Sequence, residues 1–250
     1  MTSTPTIATD AFGPVAEAYA AFRPRYPRAV FHYLAAVAPS THCVLDVAAG
    51  SGQATLGLAA HFARVVAVDL STRQLGAMPE HPRVHRVSAH AESLPIRDHA
   101  VDLVLAAQAL HWFDEAAFFK DAARVLRPRG IVAVLAYDLS RITPAIDRLV
   151  RDFHDHTVGA DWTVDRAKVM AGYATAKLPG TSLAVAQFVM TASLTADAYL
   201  GYLSTWSAVT RYRARTGHDP LTAFGEALRA EWGDAPRTVH WPLRLRCARL

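Results

Sequence analysis

Two carboxylates and two glycines stand out in this chain of 250 residues as a set whose spacing could do chemistry. In "VLDVAAGSGQATLGLAAHFARVVAVDLS" (44–71), Asp46 lies near the end of an apolar run that reads as a buried strand, and Gly50 and Gly52 follow in a turn. An Ala- and Leu-rich helix comes next, and a second β-branched run ends on Asp69. Glycine at a strand-to-helix turn lets backbone approach a ligand, and an acid at the next strand tip can accept from a ribose diol.

A nicotinamide dinucleotide needs G-x-G-x-x-G/A at that turn, the third small residue allowing close helix–strand packing. Counting from Gly50 through Ser51, Gly52, Gln53 and Ala54 puts β-branched Thr55 in the third place, and the frame Ala48, Gly50, Gln53 fails as well. Asp46 also stands where a pyrophosphate would approach the helix N-terminus, and two negative groups repel there. An acid in that place suits a ligand with a positive amino group. S-adenosylmethionine carries an ammonium, a sulfonium and a ribose diol, and no phosphate. Asp46 would meet its amino-acid end, the Gly50–Gly52 turn its flank, and Asp69 both hydroxyls.

Positioning these groups takes a parallel sheet. Strands are expected at 43–48, 64–69, 84–89, 100–107 and 130–137, with helices over about 53–61 and 114–126, the latter capped by Asp114. Residues 144–182 read as helical and polar, 182–191 as a strand, 195–232 as helical. The last stretch, 237–250, reads as a strand in which Pro242 suits an edge or bulge. The expected fold is α/β, a Rossmann-like, mostly parallel seven-stranded sheet with helices on both faces: a lid segment and helix at 1–40, a cofactor-binding core at 41–140, and cap elements with the last strands at 141–250.

Composition narrows the partners. The formal charge of +4 comes from scattered arginines, which argues against a nucleic-acid face. The first ten residues lack the features of a secretory leader, and no apolar run approaches the about 20 residues of a membrane span. A cytoplasmic protein, monomer or homodimer, is expected. Cys43 and Cys247 are the two cysteines and give no reason for a disulfide. In "FHDHT" (153–157), His154 and His156 diverge on a helix without a third ligand, so no metal is expected.

The runs "LDVAAGSGQAT", "VAVDLS", "SAHAESLPIRDHAVDLVLAAQALHWFD" and "ARVLRPRGIVAVL" together resemble class I S-adenosylmethionine-dependent methyltransferases. "YAAFRPRYP" (19–27) and "GYLSTWSAV" (201–209) are similar to the branch that includes trans-aconitate methyltransferases. The resemblance implies S-adenosylmethionine as methyl donor, with S-adenosylhomocysteine as product. It places Asp46, Ala48, Gly50, Ser51, Gly52 and Gln53 at the amino-acid end, Asp69 and Leu70 at the ribose and adenine, and Ala91 and Glu92 at the adenine edge. Ala107, Gln108 and Ala109 run past the methionine moiety. Two departures are Ala48, where the family turn has glycine, tolerable if its φ is negative, and Arg129 in "RPRG".

Methyl transfer from a sulfonium is an in-line displacement that proximity and orientation can drive. His111, after the fourth strand, is the candidate base for an acceptor that must lose a proton. The resemblance makes the segment with Tyr19 and Arg25 a lid over the cofactor, Tyr19 pointing toward the sulfonium or acceptor. Trp112, Trp162 and Trp206 are expected near a flat or apolar acceptor. That acceptor is either a planar nitrogen heterocycle methylated on nitrogen, as in azapteridine (toxoflavin-type) secondary metabolism, or a small carboxylate methylated on oxygen. A nicotinamide oxidoreductase and an RNA-directed or non-catalytic S-adenosylmethionine-binding protein are the competing readings.

Overall fold

The computed structural model describes residues 24–162 and 166–250. Helix α1 (Arg28–Val37) precedes β1 (Cys43–Val47), α2 (Thr55–Ala59), β2 (Arg64–Asp69), α3 (Thr72–Ala77), β3 (Val84–Ser88) and β4 (Val101–Ala107). A single 3₁₀ turn at Leu110–Trp112 leads to α4 (Glu115–Val125) and β5 (Leu126–Tyr137). Then come α5 (Pro144–Asp152), a wide turn at Phe153–Thr157, α6 (Arg166–Met170), β6 (Thr181–Ser182) and β7 (Phe188–Leu194). Helices α7 (Ala196–Ser204), α8 (Ser207–Thr216) and α9 (Leu221–Trp232) precede β8 (Arg237–Arg249).

The sheet runs β3-β2-β1-β4-β5-β8-β6, with β7 also on β8. β6 and β7 take successive stretches of one β8 edge, so the sheet is seven positions wide. The pairs from β3 to β5 are parallel, and β8 returns antiparallel to β5. Buried strands of this kind are continuously apolar because helices cover both faces. Alternation sends Val44, Leu103 and Ile131 into one core with Phe31 and Leu58, and Leu45, Val104 and Val132 into another with Phe118 and Val125. Asp46 alternates onto the Val44 face, where α2 lies over it.

Several elements differ from expectation, each for a local reason. The helix expected at 53–61 starts at Thr55, because Gly50 and Gly52 have φ of 55° and 89° and delay helical winding. β5 begins at Leu126 and passes through Arg129 at φ 66°, beside a shift of its register against β4. The strand expected at 182–191 leaves the sheet between Ser182 and Phe188, where this edge carries one more residue than β8 opposite. Residues 144–182 hold two α-helices, α5 and α6, with a π turn at Phe153–Thr157 and a 3₁₀ turn at Gly159–Asp161 between them, among the described residues. Pro242 faces Val189 of β7, while the β5 ladder stops at Leu243, so no β5 residue pairs with it. Among the described residues no helix is long and apolar enough to cross a membrane.

Candidate active site

Asp46, Asp69 and Gln108 lie at the carboxyl edge of β1, β2 and β4. Asp46 is 1% exposed, and its Oδ2 accepts from the Thr55 hydroxyl at 2.6 Å. Burial pushes its pKa up to about 7, the Thr55 bond opposing and the Asp69 charge adding to the rise. Asp69 accepts through Oδ2 from the Gly50 N–H and through Oδ1 from the Ser71 N–H, each at 2.8 Å. The carboxylate thus ties the glycine turn to the tip of β2 and keeps one further lone pair on each oxygen for a ligand.

The turn itself corrects one expectation. Ala48 has φ 55°, not a negative value, so it occupies a left-handed position that glycine fills at lower cost. Gly52 is required sterically, since a Cβ there would lie 2.5 Å from Met78 Cγ. A Cβ at Gly50 would meet only Gln74 Oε1, at 3.9 Å, so this part of the cradle is open to a ligand. Ser51 is half-buried in the same turn. Gln53 donates through Nε2 to the Pro24 carbonyl at 2.6 Å, which brings the chain before α1 beside the turn.

Leu70 is 39% exposed next to Asp69, and Ala91 is 9% exposed beyond β3. The Glu92 carboxylate accepts from the Asp114 N–H at 3.1 Å. Past Ala107, Gln108 has φ 54°; its N–H donates to Leu135 at 2.7 Å and its Nε2 to the Tyr137 carbonyl at 2.9 Å. Such strain outside glycine concentrates where a site fixes backbone. Ala109 is buried beside it. Arg25 is exposed, and Tyr19 lies outside the described residues.

His111 Nδ1 lies 2.8 Å from the Tyr173 hydroxyl, and the two rings stack at 6.1 Å. Burial, then the Arg166 charge, lowers the imidazole pKa to about 4, so it is neutral near pH 7. Trp112 is 38% exposed beside it. Trp162 and Trp206 stand 5.7 Å apart with His154 against both, and the Arg166 guanidinium lies 4.4 Å from the Trp162 ring. Trp206 is largely a core residue at 5% exposure. Arg215 and Arg211 hold Asp161, and Arg213 pairs with Asp219, so this arginine row serves the protein's own groups. His156 is exposed on the Asp152 side, away from buried His154.

Thr55, Tyr173 and Arg166 were missed by sequence reasoning. Thr55 had a signal, a hydroxyl one turn beyond the glycines, yet it stood out only as a misfit to the dinucleotide pattern. Tyr173 and Arg166 come from an aperiodic stretch and reach the site only through tertiary packing.

A family model described as a methyltransferase domain matches residues 45–134. A methyltransferase of Dictyostelium discoideum is 30% identical over 235 residues, covering 90% of this chain and 87% of its own. The solved structure of a type II methyltransferase from Anaeromyxobacter dehalogenans is 44% identical with a TM-score of 0.84, covering 92% of this chain and 98% of that one. The chain belongs to the S-adenosylmethionine-dependent methyltransferases. A Mycobacterium bovis methyltransferase matches more locally, 39% over 120 residues, 48% of this chain and 49% of its own.

The geometry of these residues fits S-adenosylmethionine. A buried carboxylate beside an open cradle suits an ammonium, and a strand-tip carboxylate with free lone pairs suits a diol. Among the described residues no three His, Cys, Asp or Glu side chains come together as a metal site.

Proposed function

We propose that this methyltransferase acts on a small planar acceptor whose nucleophilic atom already carries a free lone pair, a ring nitrogen above all. The carrying observation is His111, the candidate base, held neutral with a pKa lowered to about 4 and bonded to Tyr173. A base of that strength assists poorly in removing a proton from an alcohol or phenol near neutral pH. S-adenosylmethionine supplies an already activated methyl group. On this reading, the chain's own work is positioning: Asp46 and Asp69 hold the two ends of the donor, strained Gln108 fixes the backbone beside its methionine part, and His111 orients the acceptor by a hydrogen bond. Trp112 and Trp162 supply flat apolar surface, which suits a heterocycle.

The Arg166 charge, which acts on His111 and His154, favours a second reading, O-methylation of a small carboxylate as in the aconitate-type branch. A screen of acceptors with a labelled methyl donor separates the two. Label on ring nitrogen supports the first; label only on carboxylates overturns it. Under the first reading, His111→Asn lowers turnover by less than about a hundredfold, the lower end for loss of a general acid or base.

A further inference from the structure

Two buried hydrogen-bond acceptors, one just after β5 and one in the turn that follows α5, have no partner among the described residues. His154 is 3% exposed, its Nδ1 lies 2.6 Å from Asp155 Oδ1, and its Nε2 is unpaired. A carboxylate only accepts, so Nδ1 carries the proton. Burial lowers the pKa of the ring, against the Asp155 bond, and leaves Nε2 as a bare lone pair near neutral pH. Asp138 Oδ1 is the second such atom, and its charge reaches His154. Native interiors pair nearly all buried polar atoms, so two acceptors without donors, one of whose charge acts on the other, call for an occupant that brings donors.

Their place in the fold says which occupant. Asp138 follows Tyr137, whose carbonyl receives Gln108 at 2.9 Å, so it borders the strand end where the methionine part of the donor is expected. The His154 ring lies 5.1 Å from Trp162 and 5.7 Å from Trp206. Arg166 acts on both His154 and His111, which joins this corner to the His111–Tyr173 pair. Trp232 and Trp241 also carry unpaired buried nitrogens, but these are donors inside the core cluster, packed on Tyr199 and Tyr202.

We propose that Asp138 and His154 form a donor-reading subsite for the acceptor, a planar heterocycle bearing N–H or amino groups that donates to Asp138 Oδ1 and His154 Nε2 while its ring lies against Trp162. This rests on the methyl-transfer reading above and narrows it. A carboxylate has no proton to offer and would face two acceptors.

The test titrates the full chain, saturated with S-adenosylhomocysteine, at a pH well above the pKa of the amino probe, with three probes: 2-aminobenzimidazole as its neutral form, benzoxazole as a bicycle without a donor, and benzoate. 2-Aminobenzimidazole is expected to bind at least about tenfold tighter than benzoxazole, one hydrogen bond's worth. Asp138→Ala and His154→Phe, which each delete the acceptor, remove most of that preference, and S-adenosylhomocysteine binding stays unchanged. His154→Gln keeps an acceptor oxygen and retains the preference, which guards against His154→Phe failing to fold. Equal binding of the two bicycles, a preference that survives Asp138→Ala and His154→Phe, tighter binding of benzoate, or no binding by any probe overturns the proposal. Failure of the wild-type chain to bind S-adenosylhomocysteine would instead strike the methyl-transfer reading itself.

Discussion

Burial shifts Asp46 and His111 in opposite directions, and each makes a measurable prediction. The Asp46 pKa, raised to about 7, exceeds the ordinary Asp value of about 4. Between those values the folded chain holds the proton more tightly than the unfolded one, so this group's contribution to stability falls as pH rises through the window. The cofactor's ammonium favours the ionised form, so binding expels the proton. Affinity for S-adenosylhomocysteine should fall below about pH 7, by up to about tenfold per unit. Asp46→Asn should be weaker and flat with pH. Calorimetry in two buffers of different ionisation heat checks this, and a wild type that releases no proton refutes it. His111, lowered to about 4, contributes stability above the unfolded value that is lost as pH falls toward 4. Asp69 shows what a sequence withholds at this scale. A strand-tip acid is legible as a ribose ligand, and by itself suggests a residue that matters little for stability. Its bonds to Gly50 and Ser71 cannot be read from spacing. Asp69→Ala should therefore lose about a hundredfold or more in affinity, at about 1.5–3 kcal/mol per charge-assisted bond, and should also melt earlier, with Asp69→Asn intermediate in both.

At the scale of elements, two departures from the family pattern carry a backbone cost. Ala48 and Arg129 have φ of 55° and 66° where glycine is usual. Ala48→Gly and Arg129→Gly should each stabilise by about 0.5–1 kcal/mol, the left-handed penalty less the entropy glycine adds. They lie at opposite ends of the parallel strands, so the gains should add in a denaturant titration. Helix α4 offers the converse test. The Asp114 carboxylate accepts from the N–H groups of Ala116 and Ala117 at 3.0 and 3.1 Å. Asp114→Ala should cost about 1 kcal/mol. That cap was legible because capping is local, as were the parallel strands, whose apolar runs are continuous. The stretch from Phe153 to Leu178, unlike the strand expected at 182–191, which overlaps β6 and β7, was not legible beyond its helical character. Its order comes from Trp162, Tyr173 and Arg166 packing on groups distant in sequence, and no periodicity announces such contacts.

At the scale of the whole molecule, the segment ahead of α1 has its last described stretch pinned to the site, Pro24 by Gln53 and buried Tyr26 against Phe31 and Tyr137. Removing residues 1–23 should spare the melting temperature and lower kcat/KM, whereas a cut beyond Tyr26 should damage the core; full activity after the shorter cut would leave Tyr19 without a catalytic part. The strand β8 fills the gap between β5 and the β6–β7 edge, pairing Ile131 with Arg249 and Leu194 with Arg237. On the ribosome, β5 therefore emerges long before the strand that covers it. Until then "IVAVLA" (131–136) presents an unpaired, uncharged ladder, the kind of edge that recruits another nascent chain. Slow synthesis downstream of Tyr137 prolongs that exposure, so yield in the cell should respond to codon choice over residues 138–249 and to chaperone supply even where the finished enzyme is equally stable.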